Sequence, residues 1–169
     1  KLTKSFWAWD EMLTMNKVGF FPYTPATQML QGLAVSIEML HEEGLDNVFA
    51  RHDRLAEATR RAIKTWGLDT ICRDPKYYSP TITAVLLPEG HDADAFRALA
   101  LEQFNISYGS SFGRFTGKMF RIGHLGDIND AMMLGGLAAT EMALALANIP
   151  HKKGGVQAAM DYLVSAHGR

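Results

Sequence analysis

Met29, Leu33, Ile37 and Leu40 recur at spacings of four, four and three, which places them on one face of a helix predicted over residues 25–44. Pro25 suits the first turn, where its missing N–H would have no partner, and Gly44 supplies a left-handed end. A second helix is predicted over residues 46–66, ended by Gly67, with Phe49, Leu55, Ala62 and Ile63 turned inward. Ahead of both, residues 1–22 read as an irregular aromatic arm with a short helix near residues 5–13. Phe6, Trp7 and Trp9 make that arm an aggregation hazard unless something covers it.

Shorter apolar runs follow. Strands are predicted over residues 70–73 and 82–87, then a helix over 92–104 with Phe96, Leu99 and Leu101 as core candidates. Residues 106–108 and 118–122 read as two further strands around a glycine-rich loop, 109–117, that is flexible by composition. Asp127 is the expected cap of a long helix, with Asp130 in its first turn and Met133, Leu137, Met142 and Leu146 along it. A last helix is expected over residues 156–165. Two helices, then ββαββα and a closing helix, predict an α+β domain: a mainly antiparallel four-stranded sheet with helices packed on it.

Charge and composition narrow the classes of function. Seventeen Lys and Arg against eighteen Asp and Glu leave no field to draw in nucleic acid. No apolar run approaches a membrane span. The lone Cys72, on a predicted strand, reads as a small buried hydrophobe, fits a reducing, cytoplasmic setting and offers no metal spacing; neither do the six scattered histidines. No metal site is expected. The opening on Lys1, running at once into exposed aromatics, is expected of a fragment rather than of a module evolved to stand alone.

Two segments carry candidate chemistry. In Phe20-Phe21-Pro22-Tyr23-Thr24-Pro25-Ala26-Thr27, a helix N-terminus with the hydroxyls of Thr24 and Thr27 could take a phosphate; equally, Thr24 could be a plain N-cap. In Lys118-Met119-Phe120-Arg121-Ile122-Gly123-His124, a cation sits inside an apolar strand. If Met119 faces the core, alternation turns Arg121 to the same face, where a substrate carboxylate would be a fitting partner. The other reading is an edge strand, with Arg121 in solvent or paired to an acid.

These segments also carry a resemblance. Residues 19–28, 41–52, 90–94, 120–126 and the Pro150-His151 tail together resemble the serine–glyoxylate aminotransferases, class V enzymes of pyridoxal-phosphate fold type I. The resemblance runs nearly the full length. It implies a homodimer that moves the amino group of L-serine to glyoxylate, giving hydroxypyruvate and glycine, with small amino and keto acids as its other partners. It makes residues 1–24 the end of a large domain, residues 25–44 an interdomain helix and residues 45–169 the small C-terminal domain.

By the same resemblance, Arg121 matches the arginine that binds the substrate α-carboxylate. Thr24 matches a threonine reaching from the neighbouring subunit to the cofactor phosphate. Phe21 falls where alanine–glyoxylate enzymes carry a phosphate-binding tyrosine, and without a hydroxyl it cannot serve so. The Schiff-base lysine belongs in a Ser-Gln-Lys context: Lys1, Lys4 and Lys17 come too late for it, and Lys118 lies on the arginine strand. No catalytic residue is therefore expected in this chain, nor cofactor binding by the chain alone. Alanine–glyoxylate or another class V specificity is the alternative within the family, and a non-catalytic α+β binding or dimerisation module is the alternative outside it.

Overall fold

In the computed structural model, residues 5–167 are described; residues 1–4, including Lys1 and Lys4 of the expected arm, and residues 168–169 of the expected small domain lie outside them. The chain divides into two compact units, residues 1–45 and 46–169. Among the described residues it forms six α-helices and three strands.

In the first unit a 3-10 turn, Ser5–Trp7, leads to α1 (Trp9–Asn16), and α2 (Thr27–Glu43) follows. The second helix starts later than Pro25 announces, with Ala26 as a cap that offers no side-chain acceptor. Gly44, at φ 83°, ends it as expected. Neither helix buries a residue. The apolar face of Met29, Leu33, Ile37 and Leu40 is 76, 54, 44 and 40% exposed.

The second unit supplies its own core. Helix α3 (Leu45–Trp66) turns Val48, His52, Leu55, Ala62, Ile63 and Trp66 inward. Phe49, expected inside, is one position out of phase with that stripe and is exposed. Strands β1 (Asp69–Thr70), β2 (Ile82–Leu86) and β3 (Met119–Gly123) form an antiparallel sheet in that order. The expected strand over residues 70–73 shrinks to two residues. Cys72 accordingly lies past β1 and half-exposed, its thiol on the Asp74 carbonyl, rather than buried on a strand.

The fold class is α+β, as expected, but the fourth strand is reduced to one bridge, Gly109 with Arg121. Its chain is still engaged with the preceding helix, α4 (Ala93–Phe104). Asn105 turns left-handed at φ 54°, the Ile106 N–H returns to the Ala100 carbonyl, and Arg97 Nε donates to the Tyr108 carbonyl. Pairing with β3 thus begins only at Gly109. On α4, Ala93, Phe96 and Ala100 are buried, whereas Leu101 is exposed.

Helix α5 (Asp130–Leu146) is capped by Asn129, which accepts from the Met132 N–H, and not by Asp127. Arg51 explains the shift: it donates to the carbonyls of Gly126 and Ile128 and holds that stretch outside the helix. Met133 and Leu137 are buried as expected, while Met142 and Leu146 are exposed. Helix α6 (Gly155–Ala166) closes the unit. Its N-terminus is held by Glu141, whose carboxylate accepts from the amides of Gly154 and Val156 and from the Trp66 indole at 2.7 Å. Burial pushes that carboxyl up, but these donors outweigh it and hold it below its usual range.

Candidate functional site

Alternation along β3 sends Phe120 and Ile122 into the core, where Phe120 meets the rings of Phe96 and Tyr108 at 4.6 and 5.2 Å. Met119 and Arg121 share the opposite face, so the face that carries Arg121 is not the one packed under the helices. Arg121 lies opposite Ala84 of β2 on one side and is doubly bonded to Gly109 on the other, N–H to carbonyl in both directions at 3.0 Å.

Its side chain is half-buried and held on several sides. Nε donates to the Ser110 carbonyl at 2.8 Å, and the guanidinium carbon stands 4.6 Å from the Phe112 ring centroid. Gly109 makes the approach possible, because a Cβ there would come within 3.0 Å of Arg121 Nε and 3.1 Å of its Cβ. Among the described residues no carboxylate pairs with Arg121. A guanidinium so held can offer two parallel N–H donors to an incoming carboxylate.

The loop that sequence composition marks as flexible is tied down locally. The Gly117 N–H donates to Ser111 Oγ at 3.0 Å, and the Phe115 N–H donates to the Phe112 carbonyl at 3.1 Å. Sequence reasoning missed Gly109, Ser110 and Phe112 as neighbours of Arg121. The available signal was an aromatic residue set among glycines and serines one hairpin's reach from the strand cation.

Past β3, His124 is fully buried. The Pro80 carbonyl, 2.8 Å from Nδ1, can only accept, so Nδ1 carries the proton and Nε2 accepts from the Thr83 hydroxyl at 2.9 Å. Burial, partly offset by the Pro80 bond and helped by the nearby Arg60 and His52, lowers its pKa to about 4. His124 therefore fixes the end of β3 as a neutral ring.

Thr24 belongs to the first unit and Arg121 to the second. Thr24 is exposed, two residues ahead of the Ala26 cap, so it is not the N-cap of α2. The Thr27 hydroxyl donates to Gln28 Oε1 at 3.3 Å. The first N–H groups of α2 have no intrahelical acceptor.

An open groove of about 870 Å³ lies between α3 and α6, with Arg60 over Tyr78 and Arg61 over Tyr162. Glu57 already pairs with both arginines, which leaves the groove poorly suited to an anion. Among the described residues no group of three His, Cys, Asp or Glu side chains could hold a metal ion. Nor is any described helix long and apolar enough to cross a membrane.

The chain is 46% identical over 163 residues to a serine–glyoxylate aminotransferase of Hyphomicrobium methylovorum, a match covering 96% of this chain and 40% of that protein. It is 40% identical over 163 residues to an L-aspartate–glyoxylate aminotransferase of Paracoccus denitrificans, covering 96% of this chain and 41% of that protein. The chain thus spans about two fifths of the length of the curated relatives it matches. Its fold is similar to a pyridoxamine–pyruvate aminotransferase from Mesorhizobium loti, with a TM-score of 0.81 and 32% identity over 86% of this chain and 38% of that one. A ureidoglycine–glyoxylate aminotransferase from Bacillus subtilis gives a TM-score of 0.77 and 36% identity over 83% of this chain and 36% of that one. No protein-family model matches the chain.

Proposed function

We propose that this chain is the C-terminal portion of a class V aminotransferase, an enzyme that moves the amino group of L-serine to glyoxylate. The observation that carries the reading is the Arg121 guanidinium, half-buried, oriented and without a carboxylate partner among the described residues. An amino acid and a keto acid share one feature, the α-carboxylate, and Arg121 is suited to hold it in both half-reactions. The 46% identity to a serine–glyoxylate enzyme supports serine as donor. The 40% identity to an L-aspartate–glyoxylate enzyme favours a second reading, with the same acceptor and another donor.

The residues present fit a share of a pyridoxal-phosphate site. When bound, that cofactor supplies the electron sink for the amino acid's α-carbon. The exposed Thr24 hydroxyl, just ahead of the α2 N-terminus, would donate to its phosphate from the neighbouring subunit of a dimer. Since no Ser-Gln-Lys context occurs in the sequence, the anchoring lysine is assigned to the rest of the parent enzyme, and the chain alone is inactive. The exposed apolar face of α2 and the aromatics of the first unit would be covered by that remainder or by the second copy. The parent is read as a cytoplasmic homodimer.

The test is Arg121→Ala in the full-length enzyme. It is expected to weaken apparent binding of both L-serine and glyoxylate by about 2–4 kcal/mol, the scale for losing a charge-assisted pair. Unchanged Michaelis constants for both would overturn the assignment. In the same enzyme Thr24→Ala is expected to lose cofactor on dialysis, followed by absorbance; retention equal to the parent's removes Thr24 from the site.

A further inference from the structure

A freely rotating guanidinium meets a carboxylate in several poses, and choosing one costs entropy at the moment of binding. Arg121 has little of that freedom left. Its Nε edge is taken by the Ser110 carbonyl at 2.8 Å. Its guanidinium carbon lies over the Phe112 ring, 4.6 Å from the centroid. Its stem runs beside the bare Cα of Gly109, where a Cβ would come within 3.1 Å.

We propose that Phe112 is a positioning residue for carboxylate recognition: with Ser110 and Gly109 it presents the two Nη groups of Arg121 end-on to the ligand. The proposal rests on the reading of Arg121 given above and adds the pose to it. With Nε committed to Ser110, a side-on approach through Nε and one Nη is closed, which leaves the terminal pair. Phe112 is 64% exposed, so core burial does not account for it. What the ring faces is the cation, and an aromatic face attracts a guanidinium while restricting its rotation. The ring's own backbone is held by the Phe115 N–H on the Phe112 carbonyl and by the neighbouring bond from the Gly117 N–H to Ser111 Oγ.

The experiment uses the full-length holoenzyme and propionate, a carboxylate with neither amino nor keto group, as a competitive inhibitor against L-serine. Phe112→Leu is expected to raise the propionate inhibition constant roughly three- to tenfold, with kcat within about twofold, and Phe112→Tyr to restore the parent value. In an Arg121→Ala background, Phe112→Leu is expected to change nothing further. Circular dichroism checks that each variant is folded, which the exposure of Phe112 favours. If Arg121→Ala itself leaves the inhibition constant unchanged, the reading of Arg121 falls and this proposal with it. If Arg121→Ala raises it but Phe112→Leu does not, the positioning role alone is overturned. An equal effect of Phe112→Leu with and without Arg121 also overturns that role, because the ring then acts on the ligand directly.

Discussion

Helices α2 and α3 are separated by a single residue, Gly44, and both carry an apolar stripe, yet they meet opposite fates. The first leaves Leu33 54% exposed and buries nothing. The second, richer in charge, brings Leu55 to 0% exposure in a contiguous core with Val85, Phe120 and Leu137. An apolar stripe states a demand for a partner; it does not supply one. Within residues 46–169 the sheet, α5 and α6 answer the demand of α3, while among the described residues of the first unit nothing answers that of α2.

The largest test of that contrast pairs two equal truncations. Leu55→Ala is expected to cost about 2–5 kcal/mol in the denaturant unfolding of this chain, and Leu33→Ala less than about 0.5 kcal/mol. In the proposed full-length parent the Leu33 variant should become costly. Equal losses at both positions in the isolated chain would break the contrast.

The next effect is set by pH. His124 has a folded pKa of about 4 against an ordinary 6.5, so between those values the unfolded chain binds a proton that the folded chain refuses. Stability therefore falls as pH drops from 6.5 towards 4, by up to about 3 kcal/mol. Glu141 is held low, and its contribution is lost only as pH falls below its ordinary 4.5, so the interval above pH 5 isolates the histidine. Urea midpoints across that interval should slope in the parent and flatten in His124→Asn; parallel slopes would remove His124 as the cause. Smallest is Gly155→Ala. An added Cβ would fall 2.2 Å from Trp66 Nε1, and the resulting shift of α6 is expected to cost about 1–3 kcal/mol in thermal unfolding. An unchanged melting temperature would show that the α3–α6 contact is looser than its geometry.

Much of this architecture was legible because glycines and Asx residues punctuate it. Gly44 and Gly67 bound α3, as the sequence indicates, while Asp92, expected as the first residue of α4, lies just outside it and caps it through its side chain. What was not legible depended on long-range partners. Asp127 and Asn129 are both competent caps, and Arg51, some seventy-five residues earlier, decides between them. The segment at residues 106–108 has strand composition, but α4 and Arg97 engage it first. At the site, Arg121 stood out as a cation in an apolar strand. The Ser110 carbonyl and the Phe112 ring could not be read, because a backbone acceptor has no signature in sequence and a lone aromatic in a loop has many uses.

The distribution of indoles gives the two units separate optical signatures. Trp7 and Trp9 are 78% and 74% exposed, whereas Trp66 is 1% exposed and donates to Glu141. Fluorescence from the first unit should lie to the red and be open to an aqueous quencher such as iodide, while emission from the second lies to the blue and is shielded. One intrinsic signal can therefore be resolved into two without any label. A quencher titration reads whether the first unit has acquired a cover, and loss of the blue component reads whether the second has come apart.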